Sequence, residues 1–286
     1  FYLCFLYYKM VMLKIVPDEP ALILETPLHK ILIISDLHLG FEKALSSKGI
    51  NIPSQTQKIF DRLKSIVEKF SPDSIIILGD VKHGTLKIVP QEWVDVPQFF
   101  YKIKGLVKSV EIIRGNHDGG LKALLPKEIN IYPSRGISVF DGKESFALIH
   151  GHAWPYPNLF NCDVLIMGHN HLIIEFREHG FRMVEPVWVM TKWDKKKVAK
   201  SFLKFSGLKV GDDPIASFKD AFGFNIGDPK IIIMPNFNPL LGGNAINVSD
   251  ASLLGPLFSS RCMNLDESEI YLSDGSYLGH LSDLIP

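Results

Sequence analysis

The sequence predicts an α/β fold, and two observations carry that expectation. In the first half of its 286 residues, short apolar runs alternate with amphipathic segments of helical period, and each of three apolar runs ends in a cluster of polar residues. In the second half, apolar runs follow one another through Asp-Gly and His-Gly turns, as antiparallel strands do. This rhythm favours sheets whose chemistry sits in the loops after the strands.

The elements follow in order. Residues 21–24 and 31–34 read as buried strands, the second running into Ser35-Asp36-Leu37-His38-Leu39-Gly40. Residues 53–70 read as a helix with Ile59, Phe60, Leu63, Ile66, Val67 and Phe70 on one face, Ser54 as its N-cap, and Ser71-Pro72 as its stop. Residues 75–78 form a strand ending in Gly79-Asp80-Val81-Lys82-His83-Gly84. A second amphipathic helix spans 90–107 and presents Trp93, Phe99, Phe100, Ile103 and Leu106. The strand at 110–113 then enters Arg114-Gly115-Asn116-His117-Asp118.

A hairpin of residues 137–140 and 146–149 turns at Asp141-Gly142 and ends in His150-Gly151-His152. The strand at 164–167 ends in Gly168-His169-Asn170-His171. Antiparallel strands at 172–177 and 182–190 turn at His179-Gly180. Thereafter the polar clusters stop. A helix is expected at 195–203, and a long loop with short helical pieces over 206–229, which is rich in Gly, Asp and Pro. A strand at 231–234 precedes Pro235-Asn236-Phe237-Asn238, and a last hairpin at 269–278 turns on Asp274-Gly275.

A hydrophobic content of 46% suits a sizeable core and argues against disorder. With 31 basic and 31 acidic residues, no global field draws the chain to nucleic acid or to a membrane surface, so such a partner must meet a local patch. Cys4, Cys162 and Cys262 form no zinc or disulfide pattern, which points to the reducing cytoplasm. Residues 1–19 are set apart as an N-terminal extension. Its apolar part is too short for a membrane span and lacks the order of a signal peptide. It is read as upstream translation or as a core strand, with Met10 or Met12 as the start.

Seven of the ten histidines fall in the strand-end clusters: His38, His83, His117, His150, His152, His169 and His171. Imidazole, carboxylate and an Asn carbonyl without thiolate suit Mn, Fe, Zn or Co rather than a structural zinc. Asp36 and His38, like His169 and His171, are two residues apart, a spacing that turns both side chains one way if the chain is extended.

Taken in order, Asp-x-His-x-Gly, Gly-Asp, Gly-Asn-His-Asp, His-Gly-His and Gly-His-x-His over residues 36–171 resemble the five-motif signature of the calcineurin-like metallophosphoesterases. The stretch 231–243 and the closing turns resemble an archaeal branch related to the DNA-ligase-associated phosphoesterases. The resemblance implies a four-layer αββα sandwich with two mixed β-sheets. It implies a core over 20–191, with 192–286 completing the same domain. It also implies two divalent metals, manganese first, with iron, zinc, cobalt or nickel as alternatives. Asp36, His38 and His171 would hold one ion; Asn116, His150 and His169 the other; Asp80 would bridge them. His117 would stand over the leaving group, with Asp118 orienting it. His83, Arg114 and His152 are the candidate substrate contacts. A Leu at 172, where relatives often carry Pro, alters the loop behind the last two histidines.

The chemistry implied is hydrolysis of a phosphodiester of a nucleotide or nucleic acid by a metal-bridging hydroxide, with the histidine protonating the leaving oxygen. A phosphomonoesterase or pyrophosphatase, including a protein phosphatase, is the enzyme alternative. A non-catalytic interaction module on the same fold is the third, and the complete ligand set speaks against it. Lys192, Lys195, Lys196, Lys197, Lys200 and Lys204 read as a solvated helix face, with nucleic-acid contact as the functional alternative. His29, His179 and His280 read as surface residues.

Overall fold

The computed structural model describes residues 12–26, 28–85, 87–178, 180–248 and 252–285. The first sheet is built by β1 (Met12–Ile15), β2 (Ala21–Glu25), β3 (Lys30–Ile34), β4 (Ser74–Ile77), β5 (Ser109–Ile113) and β6 (Asn130–Tyr132), side by side in that order. Strands β1 to β3 run antiparallel, whereas β3 to β6 are parallel. Three helices connect them: the short α1 (Phe41–Ser46), α2 (Thr56–Phe70) and α3 (Glu92–Lys104).

The second sheet collects β7 (Ile137–Phe140), β8 (Ser145–Leu148), β9 (Val164–Met167), β10 (Leu172–Glu178) and β11 (Phe181–Thr191). After α4 (Lys195–Phe205) and α5 (Pro214–Phe222) the chain returns as β12 (Lys230–Ile233), which slots between β11 and β9. Then come β13 (Asn244–Ala245), α6 (Pro256–Ser259), β14 (Glu269–Leu272) and β15 (Tyr277–His280). β13 joins the edge at β10, and the β14–β15 hairpin pairs with β11.

Three apolar clusters make this a four-layer αββα sandwich, as the resemblance implied. The alternation of side chains along each strand divides them. In β3, Leu32 and Ile34 face α2 and α3, while Ile31 and Ile33 face the second sheet. In β4, Ile75 and Ile77 face the helices, while Ile76 faces inward. In β12, Ile231 and Ile233 face α4 and α5, while Ile232 joins the middle layer with Trp188 and Ile166. Burial on both faces explains why these strands are unbroken apolar runs rather than alternating ones. Truncating one such residue, Ile76→Ala for instance, costs about 2–5 kcal/mol.

Several local expectations give way to tertiary contacts. Helix α2 starts at Thr56, not Pro53. The Ser54 hydroxyl accepts from the Thr56 amide at 3.3 Å and donates to the buried Asp95 carboxylate at 2.7 Å, so it ties α2 to α3 more than it caps. Trp93 is 53% exposed: it lies in the first turn of α3, off the face that buries Val96, Phe99, Phe100 and Ile103. Phe205 is exposed at the end of α4, while Phe202 and Leu203 before it are buried. Within 206–229 a nine-residue helix forms, capped by Asp213, entered through Pro214 and closed by Gly223, with Phe218 buried against Phe160 and Phe202. Lys192, Lys196, Lys197, Lys200 and Lys204 are exposed, with Lys195 half-buried; in α4 they line the face opposite Val198, Ala199, Phe202 and Leu203.

His29 and His280 are exposed. His179 and residues 1–11 lie outside the described residues; β1 holds the remainder of the apolar N-terminal run. No helix among the described residues is long and apolar enough to cross a membrane.

Candidate metal centre

The C-terminal ends of β3, β4 and β5 in one sheet and of β8 and β9 in the other bring all five polar clusters to one edge of the sandwich. The loops after β3 and β4 continue the pairing of their strands. His38 N donates to Asp80 O at 2.8 Å, Leu39 N to Val81 O at 2.8 Å, and His83 N to Leu39 O at 3.1 Å. The sheets are joined at this edge by His169 N donating to Asp36 Oδ2 at 3.0 Å and by His150 Nδ1 donating to Leu78 O at 2.6 Å.

Local backbone explains how these side chains converge. Asp36, His38, Asp80, His169 and His171 all have left-handed φ, five of the eight non-glycine residues that do so among those described. The spacing argument holds only for extended chain, and the backbone at Asp36–His38 and His169–His171 is not extended. Each pair converges because its backbone is folded back, a conformation disfavoured for these residue types and held by the surrounding bonds. Two glycines permit the close approach. A Cβ at Gly115 would collide with the Asp80 carboxylate, and one at Gly168 with Ser35 Oγ and Asp36 Oδ2.

Three three-residue groups result among the described residues, each with its possible ligand atoms within 4.8 Å of one another: Asp36, His38 and His171; Asp80, His150 and His169; and His38, His83 and His117, the last without a carboxylate. His171 Nε2 stands 3.2 Å from Asp36 Oδ1. Asp80 Oδ2 lies between the first two groups, 3.3 Å from His38 Nε2 and 3.4 Å from His150 Nε2. Asn116 joins the second group, its Oδ1 3.2 Å from His150 Nε2. Asp36, His38, Asp80 and His150 are buried, with His169 and His171 half-buried.

Asp36 Oδ1, His38 Nε2 and His171 Nε2 are buried without a hydrogen-bond partner although they face one another. Buried polar atoms left so are costly. A divalent cation among them satisfies all three, so this donor set fits one. His150 fits as well, because its Nδ1 proton is committed to Leu78 O and its Nε2 lone pair is left facing Asp80 and Asn116.

The electrostatics follow from two buried carboxylates among imidazoles. Burial alone pushes Asp36 up, but His171 at 3.2 Å and the charge of His150 outweigh it and hold Asp36 below the usual carboxylate range. Asp80 is likewise lowered, burial being outweighed by His150 and His38. Burial pulls His150 down, yet Asp80 lifts it to about 9. His171 is raised against burial by Asp36. The histidines without such a partner go the other way: burial, then the charge of His150, lowers His169 to about 3 and His152 to about 4.

Among the remaining candidates, Asp118 departs from expectation. Asp118 does not orient His117. Its buried carboxylate accepts from Gly115 N at 2.7 Å, Asp80 N at 3.0 Å and Val81 N at 2.9 Å, pinning two loops together. Burial, aided by the Asp80 charge, raises it to about 6. His117 is oriented instead by the His83 backbone carbonyl, which accepts from its Nδ1, and its Nε2 lies 4.0 Å from Asp80 Oδ2. His83 turns its Nδ1 to His38 Nδ1 at 3.2 Å; burial, then the charges of His38 and His117, lowers it to about 4. His152 packs its ring against His150 and His169, with Nδ1 unpartnered. Arg114 is exposed and lines a 580 Å³ cavity together with Lys122, Lys127 and Tyr132. Leu172 opens β10 and is fully buried.

Three supporting residues lay outside the motif reading. Ser35 Oγ donates to Asp36 Oδ2 at 2.5 Å. Asn170, between the two ligand histidines, is fully buried and exchanges two hydrogen bonds with the Leu254 backbone, at 3.1 and 2.7 Å. Asn238 Nδ2 donates to Leu37 O at 2.9 Å and bolts the Asp36–His38 loop in place. The run Asn236-Phe237-Asn238 could have signalled this, since polar residues just past a buried strand need partners.

With the geometry in hand, comparison with known proteins places it. Residues 29–180 match the family described as calcineurin-like phosphoesterase. A protein of Mycoplasma pneumoniae called a probable metallophosphoesterase is 26% identical over 170 residues, covering 55% of this chain and 77% of that protein. Among solved structures, the Pseudomonas putida nuclease MPE aligns over 92% of this chain and 91% of its own, at 18% identity and a TM-score of 0.49. The Escherichia coli phosphoesterase Yfce aligns over 53% of this chain and 75% of its own, at 22% identity and a TM-score of 0.34.

Proposed function

Because this chain belongs to the calcineurin-like phosphoesterase family, we propose that it is a dinuclear metal-dependent phosphodiesterase acting on a nucleotide or nucleic acid in the cytoplasm. The observation that carries the dinuclear reading is Asp80 Oδ2, which faces His38 Nε2 at 3.3 Å and His150 Nε2 at 3.4 Å. A single carboxylate so placed serves both ligand groups: Asp36, His38 and His171 on one side, Asn116, His150 and His169 on the other. Manganese is the first choice of ion, and iron, zinc, cobalt and nickel suit the same donors.

When bound, such ions supply positive charge to the phosphoryl oxygens and acidify a water. The chain's own residues do the rest. His150 is held by Leu78 O with its lone pair inward. His117, held through Nδ1, keeps Nε2 free to give a proton to the leaving oxygen. Asp118 clamps the loops that carry Asp80 and His117 to each other.

The diester reading is supported by the cavity beside Arg114. Arg114, Lys122 and Lys127 line it, and no carboxylate does, while Pro126, Ile129, Tyr132 and Pro133 give it an apolar wall. Cations beside an apolar and aromatic surface suit a nucleotide flanking the scissile phosphate; a lone phosphomonoester needs no such extension. The two buried thiols, Cys162 and Cys262, are free, in keeping with a reducing compartment.

The test is metal content and substrate class together. Wild-type protein is expected to bind two equivalents of manganese and to hydrolyse bis-p-nitrophenyl phosphate faster than the monoester. Asp80→Ala should lose both ions. A monoester preference with every metal tried would refute the diesterase, and two ions retained without Asp80 would refute the bridge.

A further inference from the structure

We propose that His83 is a positioning residue that sets two working histidines at once, its imidazole fixing His38 and its backbone carbonyl fixing His117. The inference rests on reading His38 as a metal ligand, and it replaces the expectation that His83 touches substrate.

The backbone places the residue. Strands β3 and β4 end, but the loops beyond them stay zipped through His38 N to Asp80 O, Leu39 N to Val81 O and His83 N to Leu39 O. His83 therefore has a fixed station across from His38 rather than a free one in the cleft. Its ring is held on further sides: the Phe41 ring meets it edge-on at 5.0 Å, and the His117 ring stacks on it at 5.4 Å and 25°.

The ring nitrogens then follow from donor–acceptor logic. His38 Nε2 points among Asp36, His171 and Asp80, and must offer a lone pair to hold a cation there. A neutral imidazole with its lone pair on Nε2 carries its proton on Nδ1. That proton faces His83 Nδ1 at 3.2 Å, so His83 accepts through Nδ1 and keeps its own proton on Nε2. Its Nδ1 is thereby committed to fixing the tautomer of His38. Ligand histidines held through the second ring nitrogen bind their metal more tightly, and loss of the partner weakens binding about 10–100-fold. Separately, the His83 carbonyl accepts from His117 Nδ1, which leaves Nε2 of that ring turned toward Asp80.

Four proteins test this: wild type, His83→Ala, His83→Asn and His83→Phe, each titrated with manganese from the metal-free state by calorimetry. His38→Ala identifies which site is which. In His83→Ala the His38 site should weaken by about 10–100-fold while the other site holds, and KM for bis-p-nitrophenyl phosphate should stay within twofold at saturating manganese. His83→Asn, whose Oδ1 stands where Nδ1 stood, should recover most of the affinity. His83→Phe, which fills the space without an acceptor, should not. The proposal is overturned if Phe restores binding and Asn does not, since packing would then be the whole effect. It is also overturned if affinity is untouched while KM rises, the mark of a substrate contact. A third wild-type ion lost in His83→Asn would make His83 a ligand and overturn it too. If wild-type protein binds no manganese at all, the metalloenzyme reading itself fails, and this inference with it.

Discussion

The buried carboxylate of Asp118 accepts the backbone amide of Asp80 at 3.0 Å, so the residue beside His117 is a clamp on Asp80. Together with its bonds to Gly115 and Val81, this ties the loop after β5 to the loop after β4. The burial of this carboxylate has a measurable pH signature. Asp118 is raised to about 6 in the fold, above its value in the unfolded chain. Between about pH 4 and 6 the folded metal-free protein therefore holds a proton that the unfolded chain has lost. Stability falls as pH rises through that window, by about 3 kcal/mol at most at 1.36 kcal/mol per unit. Asp118→Asn should abolish this slope relative to wild type. It leaves about one amide unsatisfied, at about 1–3 kcal/mol, so the two effects nearly cancel near pH 7. Urea denaturation at pH 4, 5, 6 and 7 checks it, and an unchanged slope in the variant would count against the assignment.

His150 gives the opposite sign. Lifted to about 9 by Asp80, it contributes stability to the metal-free fold that is complete below about pH 6.5 and lost as pH rises through 9. A cation must displace that proton. Apparent affinity at the Asp80–His150–His169 group should thus rise about tenfold per pH unit from 7 toward 9 and level off above. Calorimetry in buffers of different ionisation enthalpy would count the released proton. An affinity flat over that range would show His150 already neutral.

His117→Ala separates chemistry from metal binding. The ring lies outside the two groups that contain a carboxylate, although it falls with His38 and His83 in a third, and its Nδ1 bond goes to a backbone carbonyl, so both ions should remain. Loss of a general acid costs about 10²–10⁴-fold in kcat. The loss should be larger for a dinucleotide, whose alkoxide leaving group needs the proton, than for bis-p-nitrophenyl phosphate, whose phenolate is stable as an anion. Equal losses on both substrates would point to a positioning rather than a proton-transfer role.

The extent to which the site was legible follows from what each signal depends on. Ile31–Ile34 and Ile75–Leu78 are buried on both faces, and Val110, Ile112 and Ile113 are buried around the half-buried Glu111, so these runs and the polar clusters after them stand out in sequence. The residues that come together as possible metal groups could be named because each residue type sits in a fixed motif. What could not be read is set by backbone and by distant partners. The left-handed φ at Asp36, His38, Asp80, His169 and His171 contradicts the residues' own preferences and is imposed by loops far away in sequence. Asp118 sits beside His117 in sequence, yet its carboxylate is drawn to amides of the β4 loop. Asn238 meets Leu37 across 201 positions, a separation no local pattern reports.

The cationic cavity yields the last expectation. Lys122 and Lys127 are exposed, belong to neither metal group, and share the cavity with Arg114, which directly precedes the Gly115-Asn116-His117 loop. If a nucleotide flanking the scissile phosphate lies there, replacing both lysines by glutamate turns attraction into repulsion at that position alone. The kcat/KM for a single-stranded oligonucleotide should then fall about tenfold more than that for bis-p-nitrophenyl phosphate, at about 1 kcal/mol or less per exposed charge removed and again per charge reversed. The salt dependence of oligonucleotide binding should also flatten by about one to two in the slope of log K against log salt, because each phosphate contact releases about one counterion. Equal losses on the two substrates, or an unchanged salt slope, would remove this cavity from the substrate path and leave the exposed lysine face of α4 as the next surface to vary.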